Sequence, residues 1–262
     1  MKAKTALVVN DDGIRSPGLA VMAELASRFW EVHVVAPKEE RSGAGKSITM
    51  GVISVEEHEL AGTSSAYAIS GTPADAVLLG IDYLLPKEPD IVLSGVNLGP
   101  NLGIEDYLDS GTIGAAMEAS IHGVPSVAAS LAMSKEDKLA ERYDMGNARA
   151  LLNELLEVLS SSHDTLANGE MVSLNVPHPD CTGVVATRVS QRAMRKVHMK
   201  VNGGYAIRPW VMSLYGEGEP GSDISAVVAQ RKASISVVNL RLESRMESAY
   251  RIAEKVATSW RQ

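Results

Sequence analysis

The chain has one cysteine, Cys181, among 262 residues. No intrachain disulfide can form, and no cysteine cluster can hold a metal. A fold without disulfides suits a reducing compartment. Positive charge is not in excess: 25 Lys and Arg stand against 32 Asp and Glu, a net charge of −7. That balance argues against a nucleic-acid polymer as partner. It does not exclude a small phosphorylated molecule, whose site is set by local geometry. No apolar run approaches the roughly 20 residues of a membrane helix, so no membrane partner is expected. Met1-Lys2-Ala3-Lys4 runs straight into the first apolar segment, leaving no room for the core of a signal peptide. A cytoplasmic location is the resulting expectation. No internal repeat, low-complexity segment or histidine pair at ligand spacing is present.

What is present is a core: 45% of the residues are hydrophobic, enough for one large α/β domain or one with an appendage. Ala6-Leu7-Val8-Val9 reads as a first strand, buried on both faces. Ser16-Pro17 is a helix start, with Leu19, Met22, Leu25, Ala26 and Phe29 on the buried face. Residues 32–36 form a second strand. The resulting β-α-β unit implies a parallel pair and a right-handed crossover. Residues 47–56 are expected as one arm of a hairpin, and 67–70 as a strand. Gly71-Thr72-Pro73 opens another helix, and 90–95 is a further buried strand. Residues 96–110 read as a loop rich in glycine and asparagine. A helix carrying Ile113, Ala116, Met117 and Ile121 follows, then a strand at 126–129 and one long helix at 139–159. The strand at 171–176 is expected to be the last of the main sheet. The pattern predicts a Rossmann-like α/β core over residues 1–180. Residues 181–262 form a β-rich arm, with strands near 184–189, 205–215 and 233–240 and a final helix at 242–260. The arm suits oligomer contacts.

Ligands of open parallel sheets bind beyond the carboxyl ends of the strands. Three polar clusters fall there: Asn10-Asp11-Asp12-Gly13, Glu39-Glu40-Arg41-Ser42-Gly43 and Ser94-Gly95-Val96-Asn97. Two adjacent carboxylates repel each other and call for a positive partner. Asp11 and Asp12 offer charged oxygen, and Ser42 and Asn97 neutral oxygen. Oxygen donors alone favour Mg²⁺ or Mn²⁺ over structural zinc. Such an ion can activate water and polarise a phosphoryl oxygen. Ser110-Gly111-Thr112, directly before a helix, offers N–H groups and two hydroxyls to a phosphate, and Asn101 adds an amide.

Each piece also has a plainer role. Asp11-Asp12 is consistent with a turn and cap, Ser42 and Asn97 with loop hydrogen bonding, and Ser110-Gly111-Thr112 with an N-cap. His122 suits a helix terminus, and His33 and His178 read as structural. Arg192, Arg195 and Lys196 suit a solvated face, and Trp210 and Trp260 packing or subunit contacts.

Together the clusters resemble the SurE family. The resemblance rests on Asn10-Asp11-Asp12-Gly13-Ile14 with Pro17-Gly18, Val35-Ala36-Pro37 with Glu40-Arg41-Ser42, and Gly71-Thr72-Pro73-Ala74-Asp75. It continues through Ser94-Gly95-Val96-Asn97 with Gly99-Pro100-Asn101, then Ser110-Gly111-Thr112, in order over the first half of the chain. Pro220-Gly221-Ser222-Asp223 matches more loosely. The resemblance implies a metal-dependent phosphatase of nucleoside 5′- and 3′-monophosphates, some members also acting on short polyphosphate. It implies one divalent cation per subunit, Mg²⁺ or Mn²⁺, held by Asp11, Asp12, Ser42 and Asn97. Asp11, Asp12 and Asn97 are then catalytic, and Asn101, Ser110, Gly111 and Thr112 line the phosphate pocket. It further implies a homodimer or homotetramer built through the C-terminal arm. The chain departs from many bacterial members in its acidic stretch at 104–109 and in Arg231-Lys232.

Other classes remain open on the residues alone. A phosphatase with an aspartate nucleophile usually has two aspartates separated by one residue, and here they are adjacent. A receiver-type module needs an acceptor aspartate after a middle strand, where this chain has Ser94-Gly95-Val96-Asn97. A nucleotide sensor without turnover is the third alternative.

Overall fold

A computed structural model describes residues 4–161, 166–167, 169–192, 197–240, 250 and 252. Apart from residues 250 and 252, the final helix expected at 242–260, with Trp260, lies outside the described residues, as do Arg195 and Lys196. β1 (Thr5–Val9) is fully buried, and its side chains alternate between two cores. Ala6 and Val8 face α1 (Pro17–Ala26), while Leu7 and Val9 face the other side. Ser16 caps α1 by accepting from the Gly18 N–H at 3.2 Å.

The chain continues through β2 (Glu31–Pro37), β3 (Val55–Glu57) and β4 (Ser65–Ile69) to α2 (Pro73–Leu79). At the start of α2, Thr72 and Asp75 form a reciprocal capping box. Then come β5 (Ile91–Leu98), α3 (Gly103–Asp109), α4 (Gly111–Ile121) and β6 (Ser126–Ala132). α5 (Lys135–Leu139), α6 (Gly146–Ser161) and β7 (Glu170–Pro177) complete the first two thirds. Beyond lie β8 (Val184–Ala186), β9 (His198–Val201), β10 (Gly204–Ile207) and β11 (Ala233–Asn239).

Nine strands form one sheet in the order β3-β4-β2-β1-β5-β6-β7-β11-β8. From β4 to β7 all neighbours are parallel. α1 and α6 cover one face, with Leu19, Met22, Leu152 and Leu156 in the core. α2 and α4 cover the other through Ala76, Val77, Ala115 and Ala119. β1 sits between β2 and β5, so the direction of winding reverses there. That reversal opens a crevice at the carboxyl ends of β1 and β5.

The mostly parallel α/β sheet is as expected, but several elements differ. β5 does not stop at Gly95. It bulges between Ser94 and Asn97 and then resumes pairing, Asn97 opposite Ser130. Gly95 makes the bulge possible: its φ is +119°, and a Cβ there would meet the Ala129 carbonyl oxygen at 2.3 Å. The expected loop at 96–110 therefore contains the end of a strand and a helix. α3 escapes a periodicity reading because it is short and begins at a glycine. It is held by Asp106, which accepts from the Leu102 N–H at 2.9 Å and the Tyr215 hydroxyl at 2.7 Å.

The long helix expected at 139–159 is two helices. Leu139 closes α5, and α6 starts at Gly146, whose N–H donates to Asp144 at 2.8 Å. Of the hairpin arm at 47–56, only the end pairs, Val55 opposite Ile69. The strand expected at 205–215 is β10 followed by a helical turn, Met212–Tyr215. β7 is not the last strand of the main sheet. β11 pairs antiparallel with it, Ser234 opposite Asn175, and β8 follows. A polar break after Pro177 hides this continuation, because the returning strand lies far along the chain.

Candidate active site

Asn10, Asp11 and Asp12 leave β1 at the crevice. Buried Asn10 donates its amide to the Gly13 carbonyl at 3.0 Å and closes the turn. Asp11 is 4% exposed. Its Oδ1 accepts from the Thr112 hydroxyl at 2.6 Å, and the Thr112 backbone N–H reinforces the contact. The carboxylate thus lies on the amino end of α4, where the helix dipole favours negative charge. Even so, burial, and after it the like charge of Asp12, pushes Asp11 up to about 6. A cation between the two would relieve both effects.

Asp12 uses its two oxygens differently. Oδ2 accepts from the Leu98 N–H at 3.1 Å, just past the β5 bulge. Oδ1 accepts from the Lys138 ammonium at 2.6 Å. Lys138 also donates to Glu40 at 3.0 Å, and the Ser42 hydroxyl donates to the same Glu40 oxygen at 2.6 Å. Burial opposes the charge on Lys138, but Asp12 and Glu40 outweigh it and hold the ammonium above the usual lysine value.

The expected site residues therefore fall into linked groups. Asp11, Gly111 and Thr112 are in direct contact. Ser42 reaches Asp12 through Glu40 and Lys138. Asn97 donates its amide N–H to the Gly99 carbonyl at 3.0 Å, so its other amide atom, the oxygen, is the one a cation could use. Ser110 accepts from the Ile113 N–H at 3.1 Å and caps α4. Asn101 is buried. Its amide donates to Ser130 at 2.8 Å, and its backbone exchanges hydrogen bonds with the Asn175 side chain. Asp223 braces the adjoining turn, accepting from the N–H groups of Gly103 and Ser190, each at 2.9 Å.

Lys138 was missed by the sequence reading. Ser134-Lys135-Glu136-Asp137 carries the signal, since Ser and Asp three apart mark a helix start. Ser134 does accept from the Asp137 N–H at 3.1 Å. A helix starting directly after β6 puts its lysines at the crevice.

The donors fit a hard cation. Among the described residues no three His, Cys, Asp or Glu side chains gather to hold a metal. An ion here would rest on two carboxylates completed by neutral oxygens. The ammonium on Asp12 shows that this position accepts positive charge.

Gly111 makes the contact between α4 and Asp11 possible. A Cβ there would meet the Asp11 Cβ at 2.7 Å and the Pro73 Cγ at 3.0 Å. In an open helix, alanine would be favoured over glycine by about 1 kcal/mol. Here the clash reverses the sign, and Gly111→Ala is expected to cost about 1–3 kcal/mol of stability. Displacement of Asp11 should also lower turnover, by roughly tenfold or more. Denaturant unfolding and kcat, measured together, check both.

The fold and the crevice define an α/β protein whose sheet reversal brings a carboxylate pair to the strand ends, one member of it against a helix amino end. Its chain matches the family described as Survival protein SurE over residues 6–196. The chain belongs to the SurE family. It is 36% identical to the 5'-nucleotidase SurE of Methanothermobacter thermautotrophicus, covering 97% of this chain and 96% of that one. It is 37% identical to the 5'-nucleotidase SurE of Nitrosococcus oceani, covering 90% and 91%. The crystal structure of the SurE protein from Aquifex aeolicus superposes with a TM-score of 0.73 at 29% identity, covering 96% and 98%. No described helix is long and apolar enough to cross a membrane.

Proposed function

We propose that this chain is a divalent-metal-dependent phosphomonoesterase that releases phosphate from nucleoside 5′-monophosphates, and from 3′-monophosphates as well. Membership in a family whose relatives are named 5'-nucleotidases supports the reaction class. One observation carries the site: buried Asp11 rests on the amino end of α4 with Asp12 beside it at the sheet reversal. In this reading one Mg²⁺ or Mn²⁺ per subunit is held by Asp11, Asp12, Ser42 and Asn97. When bound, the ion polarises the phosphoryl oxygen and makes water nucleophilic near neutral pH.

The chain's own residues do the positioning. The hydroxyl and N–H of Thr112 fix Asp11, and the Leu98 N–H fixes Asp12. The first turn of α4, from Ser110 to Thr112, offers its N–H groups to the phosphate. Asn101 acts from the adjoining turn, braced by Asn175 and Asp223. Asn10 supports the carboxylates by holding the turn that carries them. Thr112 and Ser110 already have partners in the fold, so their side chains serve Asp11 and the helix start first.

The same reading has the enzyme in the cytoplasm as a homodimer or homotetramer. The β9–β10 hairpin supports the assembly, since Tyr205 is 75% and Ile207 67% exposed. A substrate panel tests the function. With Mn²⁺ present, phosphate release is expected from 5′- and 3′-monophosphates, with short polyphosphate as the third arm. Stoichiometric nucleotide binding without release of phosphate would contradict the reading and favour a sensor.

A further inference from the structure

Lys138 has no part in the reading above, yet it makes the closest contact to Asp12. It lies in α5, which follows β6 after two residues. Its ammonium is 2.6 Å from Asp12 Oδ1 and 3.0 Å from Glu40 Oε1, and its side chain is 18% exposed. The start of the helix is fixed by Trp210. The Lys135 N–H donates to the Trp210 carbonyl at 3.1 Å. The Trp210 ring lies 5.0 Å from the Lys135 ammonium and 5.9 Å from that of Lys138. Lys138 is thus aimed into the crevice by its surroundings rather than left as a solvated surface charge.

Asp12 has one oxygen on the Leu98 N–H and the other on this ammonium. A divalent ion that draws on Asp12 meets a positive group already seated there. Ion and ammonium repel each other at such range, and water is largely excluded from both. Without either of them, Asp11 and Asp12 face each other uncompensated.

We propose that Lys138 is a positioning residue that stands in for the divalent ion, neutralising Asp12 in the ion-free enzyme and yielding the carboxylate when the ion binds. The inference rests on the reading that Asp11 and Asp12 are metal ligands. It gives two effects of the same sign when Lys138 is removed. The competitor of the ion disappears, and the ion-free state loses its counter-charge. Both strengthen ion binding.

Calorimetric titration with Mg²⁺, together with thermal unfolding in chelator and in saturating Mg²⁺, tests this on the full chain. Lys138→Met is expected to lower the Kd for Mg²⁺ by about tenfold, or about 1.4 kcal/mol. Its unfolding midpoint should fall in chelator and return towards the wild-type value with the ion. Lys138→Gln keeps a hydrogen-bond donor without the charge, so it should tighten ion binding as well. Lys135→Met, over the same indole, should leave the Kd within about twofold of wild type. Unchanged or weaker Mg²⁺ affinity in both Lys138 variants would overturn the inference while the metal site stands. Failure of every protein, wild type included, to bind Mg²⁺ or Mn²⁺ would overturn the metal reading and this inference with it.

Discussion

Asp11→Asn is expected to lower kcat for phosphate release by roughly three orders of magnitude, about 4 kcal/mol of barrier, while the fold survives. Asparagine has nearly the same shape and keeps an oxygen for the Thr112 hydroxyl, now 2.6 Å from Asp11 Oδ1. The contact between β1 and α4 should therefore persist. What disappears is a charge, and in the ion-free protein that charge is unfavourable. Asp11 is 4% exposed and adjoins a second carboxylate. The midpoint of thermal unfolding in chelator should then be unchanged or raised. Asp12→Asn should lose activity similarly but behave oppositely in stability. It breaks a contact with Lys138 in which Asp12 is 5% and Lys138 18% exposed. Removing one partner of a buried pair is costly because the other charge stays behind. The two variants, measured for kcat and for unfolding in chelator, separate catalytic charge from structural charge. A fully active Asp11→Asn enzyme would overturn the role given to this carboxylate.

Local signals in the sequence carried unevenly into the structure. β1 was legible because Ala6 to Val9 is a continuous apolar run, and such a run is buried on both faces. The starts of α1 and α2 were legible because Ser16-Pro17 and Thr72-Pro73 join a cap to a proline. The grouping of Asp11 with Gly111 and Thr112 could be anticipated only through the general behaviour of parallel sheets and the family resemblance. No local pattern links residues a hundred positions apart.

What stayed hidden has physical causes. The β5 bulge depends on Gly95 and on the Ala129 carbonyl beside it, a tertiary contact with no signature in spacing. β11 enters the sheet by pairing with β7 across more than fifty residues of sequence, and only the fold reveals that. Lys138 went unread because the helix expected at 139–159 begins one residue past it, whereas α5 spans Lys135–Leu139. The short link from β6 into α5 brings the lysine to Asp12, and that placement is tertiary. Asn101 is a case where residue type suggested a phosphate donor. Its buried contacts with Ser130 and Asn175 show a residue that first holds the turn itself.

The central claim is that hydrolysis needs a divalent ion at the Asp11–Asp12 pair. Its most direct test is phosphate release from a nucleoside 5′-monophosphate by enzyme stripped with chelator, then titrated with Mn²⁺ or Mg²⁺. Activity should fall by roughly three orders of magnitude on stripping, about 4 kcal/mol. It should return with the ion in wild type, and fail to return in Asp11→Asn at the same ion concentration. Undiminished phosphate release by thoroughly chelated enzyme would contradict the account.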